Sequence, residues 1–463
     1  MLFSSQVFIF IFAPLAIAVY WLIPQRYRLG WLVVASYMFY GYWDWRFCGL
    51  MIAVTCFSFA AARRIEAAKY ASVRRGWLIA AIAANASLLG YFKYAGFLAT
   101  TLNAVGRFLH AGGPLPVPEM LFPVGISFYV FEAISYTVDV YRRQVKATAS
   151  LLHFAGFISL FPHLVAGPIM RWRQLGPQLA AIPERLDMAR LNLGLCFFAA
   201  GLTKKVLIAD RLAYFADPLW LDFRHLAPGE AWAATLGYTL QIYFDFSGYS
   251  LMAIGLGHLL GLSLPQNFNS PYRATDIADF WRRWHMTLSA WIRDYLFFPL
   301  GGMHKLRRWA ALFIAMLLAG LWHGAAWTFV IWGGYHGLLL VIHHALRELK
   351  LRFRAGWPGR FGMLLLVMLG WVVFRSTSLP MALSMLRTMF SVGRFGETCS
   401  VPSAFFAIAI PALLWAVFAP NTYELLHVRQ ARPRAWALAA LGVLAAVAVL
   451  LLSDSSPFLY YQF

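Results

Sequence analysis

Acidic residues are scarce in this chain: 19 Asp and Glu stand among 463 residues against 39 Lys and Arg, and charged side chains of both signs make up only 13%. That is about half the charged fraction of an ordinary soluble domain, and with a mean hydropathy of +0.63 it excludes water as the only solvent. Cysteine is also rare. Cys48, Cys56, Cys196 and Cys399 have no CxxC spacing, which argues against a disulfide framework or a zinc cluster. No HExxH is present, and acids able to complete a metal site are few near His343-His344, so no metal is expected. A GxSxG elbow is missing too, leaving a serine nucleophile without support. Gly255-Leu256-Gly257-His258-Leu259-Leu260-Gly261 lacks dinucleotide spacing; its Gly257 and Gly261 suit close helix packing instead. No internal repeat, low-complexity tract or long linker divides the chain, which reads as a single polytopic domain over 1–463.

What the chain has in abundance is apolar sequence, 61% of all residues. Runs of membrane-spanning length recur, among them Val7 to Ile23, Ala311 to Val330 and Trp436 to Leu452. A bilayer core of about 30 Å needs roughly 20 such residues per helix, which predicts about 10 to 13 spanning or re-entrant segments. The fold class expected is therefore an all-α integral membrane protein. Ala16-Ile17-Ala18 resembles a cleavage site, but nothing basic precedes the first run, so it is expected to be a retained helix.

The net charge of +20 comes from Lys and Arg in short loops between apolar runs, a positive-inside pattern rather than a nucleic-acid surface. Arg26 and Arg28, then Arg63, Arg64, Lys69, Arg74 and Arg75, then Arg142, Arg143 and Lys146 mark cytoplasmic loops, and the amino terminus then faces outward. Two stretches depart from simple hydropathy. Asp276 to Gly302 mixes aromatic and basic residues and suits an interfacial or re-entrant helix. Gly201 to Arg211 puts charges at a membrane segment, where they must be sheltered.

Ionisable groups at bilayer depth are costly and mark candidate sites. His323, in Leu321-Trp322-His323-Gly324-Ala325, is the clearest. If its helix starts near Arg308, fifteen residues carry it about 22 Å along the axis. Apolar surroundings favour the uncharged imidazole, the form a general base requires; the alternative is a histidine bonded to a neighbouring helix carbonyl. His285, in Phe280-Trp281-Arg282-Arg283-Trp284-His285, belongs either to a site or to an aromatic membrane belt. Asp245, in Gln241-Ile242-Tyr243-Phe244-Asp245, either orients a base, pairs with Arg282 or Arg293, or joins helices structurally.

Phe280 to Ser289 followed by the block at 321–325 resembles the two histidine motifs of the membrane-bound O-acyltransferase family. Phe122 to Phe128 running into Tyr136 to Arg142, Phe161 to Ile169, Gln241 to Ser250, the opening Phe3-Ser4-Ser5 and the closing Pro457 to Phe463 are similar to its bacterial alginate O-acetyltransferase-like branch. Glu132 and Leu251 depart from it, standing where that branch has Gln and Asp. The resemblance implies a ring of helices around a thin central funnel and catalytic roles for His323 and His285. It implies acetyl-CoA as donor substrate, no tightly bound cofactor, and a periplasmic acetyltransferase partner that serves an exported polysaccharide. Arg282, Arg283 and Arg293 are available for the CoA phosphates, and Asp245, Trp284 and Trp322 join them as funnel-lining candidates. The rivals are D-alanyl transfer from a carrier protein to teichoic acid, and a polysaccharide transporter.

Overall fold

Among the described residues, five helices have both the length and the hydropathy to cross a bilayer: Arg46–Ala67, Ala71–Phe108, Met188–Leu221, Trp327–Glu348 and Trp357–Arg375. Four more apolar helices are shorter, Phe8–Leu22, Arg308–His323, Ser403–Phe418 and Ala435–Leu450. The computed structural model describes residues 1–110, 113–118, 121–351, 356–394, 399–428, 435–452 and 459, and those residues form helices and their connections without a strand. Except for Leu459, the closing block 457–463 lies outside the described residues. The protein is an all-helical, multi-pass integral membrane protein.

Contacts divide it into two compact units with interleaved sequence. The first comprises Met1, Ser5–Leu191 and Gly257–Leu264; the second comprises Leu2–Ser4, Asn192–Leu256 and Pro265–Phe463.

In the first unit, helix α1 (Phe8–Leu22) is held by its aromatic side chains. The Phe12 ring lies 5.7 Å from Phe39 and 5.4 Å from Phe161, and the Tyr20 hydroxyl donates to the Leu260 carbonyl at 2.9 Å. Helices α2 (Gln25–Asp44), α3 (Arg46–Ala67), α4 (Ala71–Phe108) and α5 (Ile126–Tyr141) follow. Arg28, expected in a cytoplasmic loop, is instead buried, donating to the Pro183 carbonyl at 2.6 Å and the Glu184 carbonyl at 3.0 Å. Glu132, one of the departures from the family pattern, is buried against His163 Nδ1 at 3.0 Å and accepts from the Met170 amide at 3.0 Å.

Gly257 and Gly261 do not join two helices, contrary to the packing expected of them. They close one: Gly261 adopts φ +75°, the Leu262 amide donates to the Gly257 carbonyl at 2.8 Å, and the Gly261 amide to His258 at 3.0 Å. This is a Schellman ending, where only a residue tolerant of positive φ fits.

In the second unit, helices α6 (Met188–Leu221, of which 192–221 belong here) and α7 (Pro228–Leu259, of which 228–256 belong here) meet at glycines. A Cβ on Gly201 would stand 2.5 Å from the Gly248 carbonyl, and one on Gly255 2.6 Å from the Gly194 carbonyl. The charges of 201–211 are sheltered by this crossing and by ion pairing. Lys205 Nζ reaches Asp210 at 2.6 Å and Asp245 at 2.9 Å. The chain continues through α8 (Ile277–Arg283), α9 (Met286–Ile292), α10 (Arg308–His323), α11 (Trp327–Glu348) and α12 (Trp357–Arg375).

Candidate active site

The apolar run from Ala311 to Val330 is not one crossing. It is broken behind His323, where Gly324 takes an extended conformation (φ −161°, ψ 150°) and α11 begins at Trp327. The hairpin of α10 and α11 closes to backbone contact: a Cβ on Gly320 would lie 2.2 Å from the Phe329 carbonyl, and one on Gly333 2.4 Å from the Met316 carbonyl. Hydropathy alone does not see this break, because every residue around it except His323 is apolar or small. The helix starts at Arg308, so His323 does stand fifteen residues along, about 22 Å by helical rise. It is 4% exposed, walled edge-on by Trp322 (4.9 Å), Trp332 (5.1 Å) and Phe374 (5.3 Å).

His285 is fully buried and sits between α8 and α9 in a left-handed conformation, φ 42° and ψ 55°. Such a backbone is uncommon outside glycine and must be held by its surroundings. Asn267 does so. Its carbonyl accepts the Met286 amide at 2.9 Å, and its side-chain Oδ1 accepts the Thr287 amide at 3.2 Å and the Thr287 hydroxyl at 2.9 Å. The same oxygen lies 3.1 Å from His285 Nδ1. A backbone N–H can only donate, so the Thr287 amide assigns the oxygen end of the Asn267 amide. The His285 contact is then Nδ1–H donating, which leaves the lone pair of the neutral ring on Nε2. Phe246 packs edge-on against this ring at 4.7 Å.

Trp322 joins the two histidines. Its indole centre is 4.9 Å from His323 and 6.2 Å from His285, so two motifs 38 residues apart in sequence close on one ring. A third buried imidazole, His336, was passed over in the sequence. Its ring lies 4.9 Å from Trp332, the residue that also walls His323, and neither ring nitrogen has a hydrogen-bond partner among the described residues. Asn267 was missed as well. Its role depends on a turn geometry that no local pattern announces.

The region 276–302 is built of two short helices and a π-helical segment, Arg293–Gly302. Its residues separate by role. Arg282 and Arg293, with Arg308 and Arg347, line a cavity of about 760 Å³ that also takes in Met286, Ser289 and Trp309. Arg283 does not line it; its guanidinium donates to Asp279 at 3.0 Å and to the Asn269 carbonyl at 3.2 Å. Trp284 does not line it either. It is 1% exposed, stacked on Phe280 at 5.7 Å and packed on Trp371 at 4.9 Å.

Asp245 is paired with Lys205 rather than with Arg282 or Arg293, and its Oδ2 accepts the Leu459 amide at 2.9 Å. Those arginines have carboxylates nearer in sequence, Asp279 at 3.3 Å and Asp294 at 2.7 Å.

The cavity does not include either histidine. It approaches them through Met286, which follows His285, and through Trp281, which lies 5.8 Å from Trp332. Among the described residues no cluster of His, Cys, Asp and Glu is arranged to hold a metal ion. Buried imidazoles beside an arginine-lined cavity suit proton abstraction next to a bound anionic donor.

Residues 118–386 match the profile of the membrane-bound O-acyltransferase family, a span that contains both histidines, Asn267 and the cavity. The chain is 46% identical over 400 residues to a probable alginate O-acetylase AlgI of Azotobacter vinelandii, covering 85% of this chain and 79% of that one. It is 37% identical over 425 residues to a peptidoglycan O-acetyltransferase of Helicobacter pylori, covering 84% and 80%. To a teichoic acid D-alanyltransferase of Bacillus subtilis it is 28% identical over 272 residues, covering 56% and 69%. This protein belongs to the membrane-bound O-acyltransferase family and is an O-acyltransferase.

Proposed function

We propose that this protein passes acetyl groups from cytoplasmic acetyl-CoA across the bacterial inner membrane for O-acetylation of an exported polysaccharide such as alginate. A periplasmic acetyltransferase is its partner in delivery, and the amino terminus faces the periplasm. The observation that carries the reading is the meeting of His285 and His323 on Trp322, next to a cavity lined by Arg282, Arg293, Arg308 and Arg347. The guanidinium groups suit the phosphates of CoA, for which planar charge-assisted hydrogen bonds are the strongest recognition available.

In this mechanism His323 removes the proton from an acceptor hydroxyl as its oxygen attacks the thioester carbonyl. The tetrahedral oxyanion collapses, the C–S bond breaks, and the departing CoA thiolate takes the proton back from the imidazolium. General-base assistance of this kind supplies about 10²- to 10⁴-fold. His285, with its lone pair on Nε2, positions the donor or gates its entry.

His323→Ala is expected to insert and purify like the wild type while acetyl transfer falls at least 10²-fold. Wild-type turnover in that variant would overturn the assignment. Supplying acetyl-CoA and a D-alanyl-loaded carrier protein in separate reactions tests the cargo. Similarity to alginate O-acetylases over 85% of the chain, against 56% for the D-alanyltransferase of Bacillus subtilis, favours acetyl.

A further inference from the structure

Two adjacent lysines in α6 have opposite fates. Lys205 Nζ is satisfied by Asp210 and Asp245. Lys204 is just as buried, at 3% exposure, and among the described residues its ammonium has neither an ion pair nor a hydrogen bond; the Trp415 ring face lies 5.1 Å away. It lines a small space of about 20 Å³ together with Ser247, Ser250, Gln266, Asn267 and Thr422, and no carboxylate lines that space. The Ser247 hydroxyl, also buried, has no hydrogen-bond partner among the described residues.

A buried ammonium is costly without a counter-charge, and Lys is a pure hydrogen-bond donor. Serine can donate as well. Two donors without an acceptor that line one small space call for one, and the positive charge makes it an anion. The volume is about that of one water-sized species, which excludes a phosphate or a sugar. We propose that Lys204 and Ser247 form a binding site for a small monovalent anion of halide size. Asn267 lines the same space and holds His285, so the ion braces the residue that sets that ring.

The test uses the full-length protein in detergent, with sodium gluconate exchanged for sodium chloride or bromide at constant ionic strength. Thermal unfolding should show a saturable rise in midpoint, about 3–6 °C at 100-fold excess over Kd. Acetate, of the same charge but too large, should give none. Lys204→Met should lose the halide response, and Ser247→Ala should raise the half-saturating concentration about tenfold. Equal midpoints in gluconate and chloride for the wild type would overturn the proposal, as would a halide response that survives in Lys204→Met. If Lys204→Met fails to fold, an unshifted half-saturation in Ser247→Ala overturns it, and a shifted one supports it. None of these readouts depends on acyl transfer.

Discussion

Replacing Asn267 by Ala removes the oxygen on which His285 Nδ1, the Thr287 amide and the Thr287 hydroxyl converge, at 3.1, 3.2 and 2.9 Å. The hydroxyl can turn to another acceptor. The backbone N–H cannot, and the imidazole can do so only by rotating or by moving its proton to Nε2. At about 1–3 kcal/mol for a donor left unmet, loss of the acceptor of the backbone amide should cost the folded state about 1–3 kcal/mol. The imidazole's escape carries its own penalty for turnover, because a proton on Nε2 removes the lone pair that faces away from Asn267. Loss of that orientation should lower kcat about 10- to 100-fold, with KM for the acetyl donor changed less than about threefold, since the arginine-lined cavity is untouched. The assay is steady-state release of CoA thiol by the reconstituted enzyme, paired with thermal unfolding. Ser250→Ala serves as the control. It removes only the 3.4 Å contact to the amide nitrogen, and about a threefold change in kcat is the most expected. An Asn267→Ala enzyme with wild-type kcat and wild-type melting would refute the argument that this amide sets the ring.

Alanine at Arg282, Arg293 or Arg308 should raise KM for acetyl-CoA about 10-fold each, at the weak end of charge-assisted hydrogen bonds because these groups are partly exposed, while kcat stays near wild type. Competition by free CoA in the same assay reads the effect directly. Gly320→Ala places a methyl 2.2 Å from the Phe329 carbonyl, so the α10–α11 hairpin must open. A loss of about 1–3 kcal/mol in thermal or denaturant unfolding is expected, and activity should fall further than stability because His323 ends the displaced helix.

Apolar runs and basic loops were enough to show a helical membrane protein, since both report directly on the solvent around each segment. His323 was legible because an ionisable residue stands out in an apolar run, and Arg308 because a basic cluster marks where that run begins. The break at Gly324 was hidden. It depends on Gly320 and Gly333 meeting backbone to backbone, and glycine spacing within one segment does not say which segment it will face. Pairing was the least legible property. For Asp245 the sequence leaves three readings open, a base-orienting group, a partner of Arg282 or Arg293, or a structural contact between helices, and none of them names its partners, Lys205, forty residues earlier, and the Leu459 amide. Arg28 looked like a loop charge because position in sequence says nothing of the Pro183 and Glu184 carbonyls that fold over it. Asn267 could not be singled out, as its function lies in the positive φ of a residue 18 positions away.

The bond between Asp245 and the Leu459 amide also bears on how the protein is made. The two residues are 214 positions apart, so at about 5–20 residues per second the ribosome needs roughly 10–40 s to deliver the second after the first. For most of that interval α7 is outside the ribosome with a carboxylate one of whose partners does not yet exist. Lys205, synthesised before it, is on hand as a counter-ion from the start. The polar centre of the second unit is therefore assembled in two stages, with an ion pair first and a backbone clasp last.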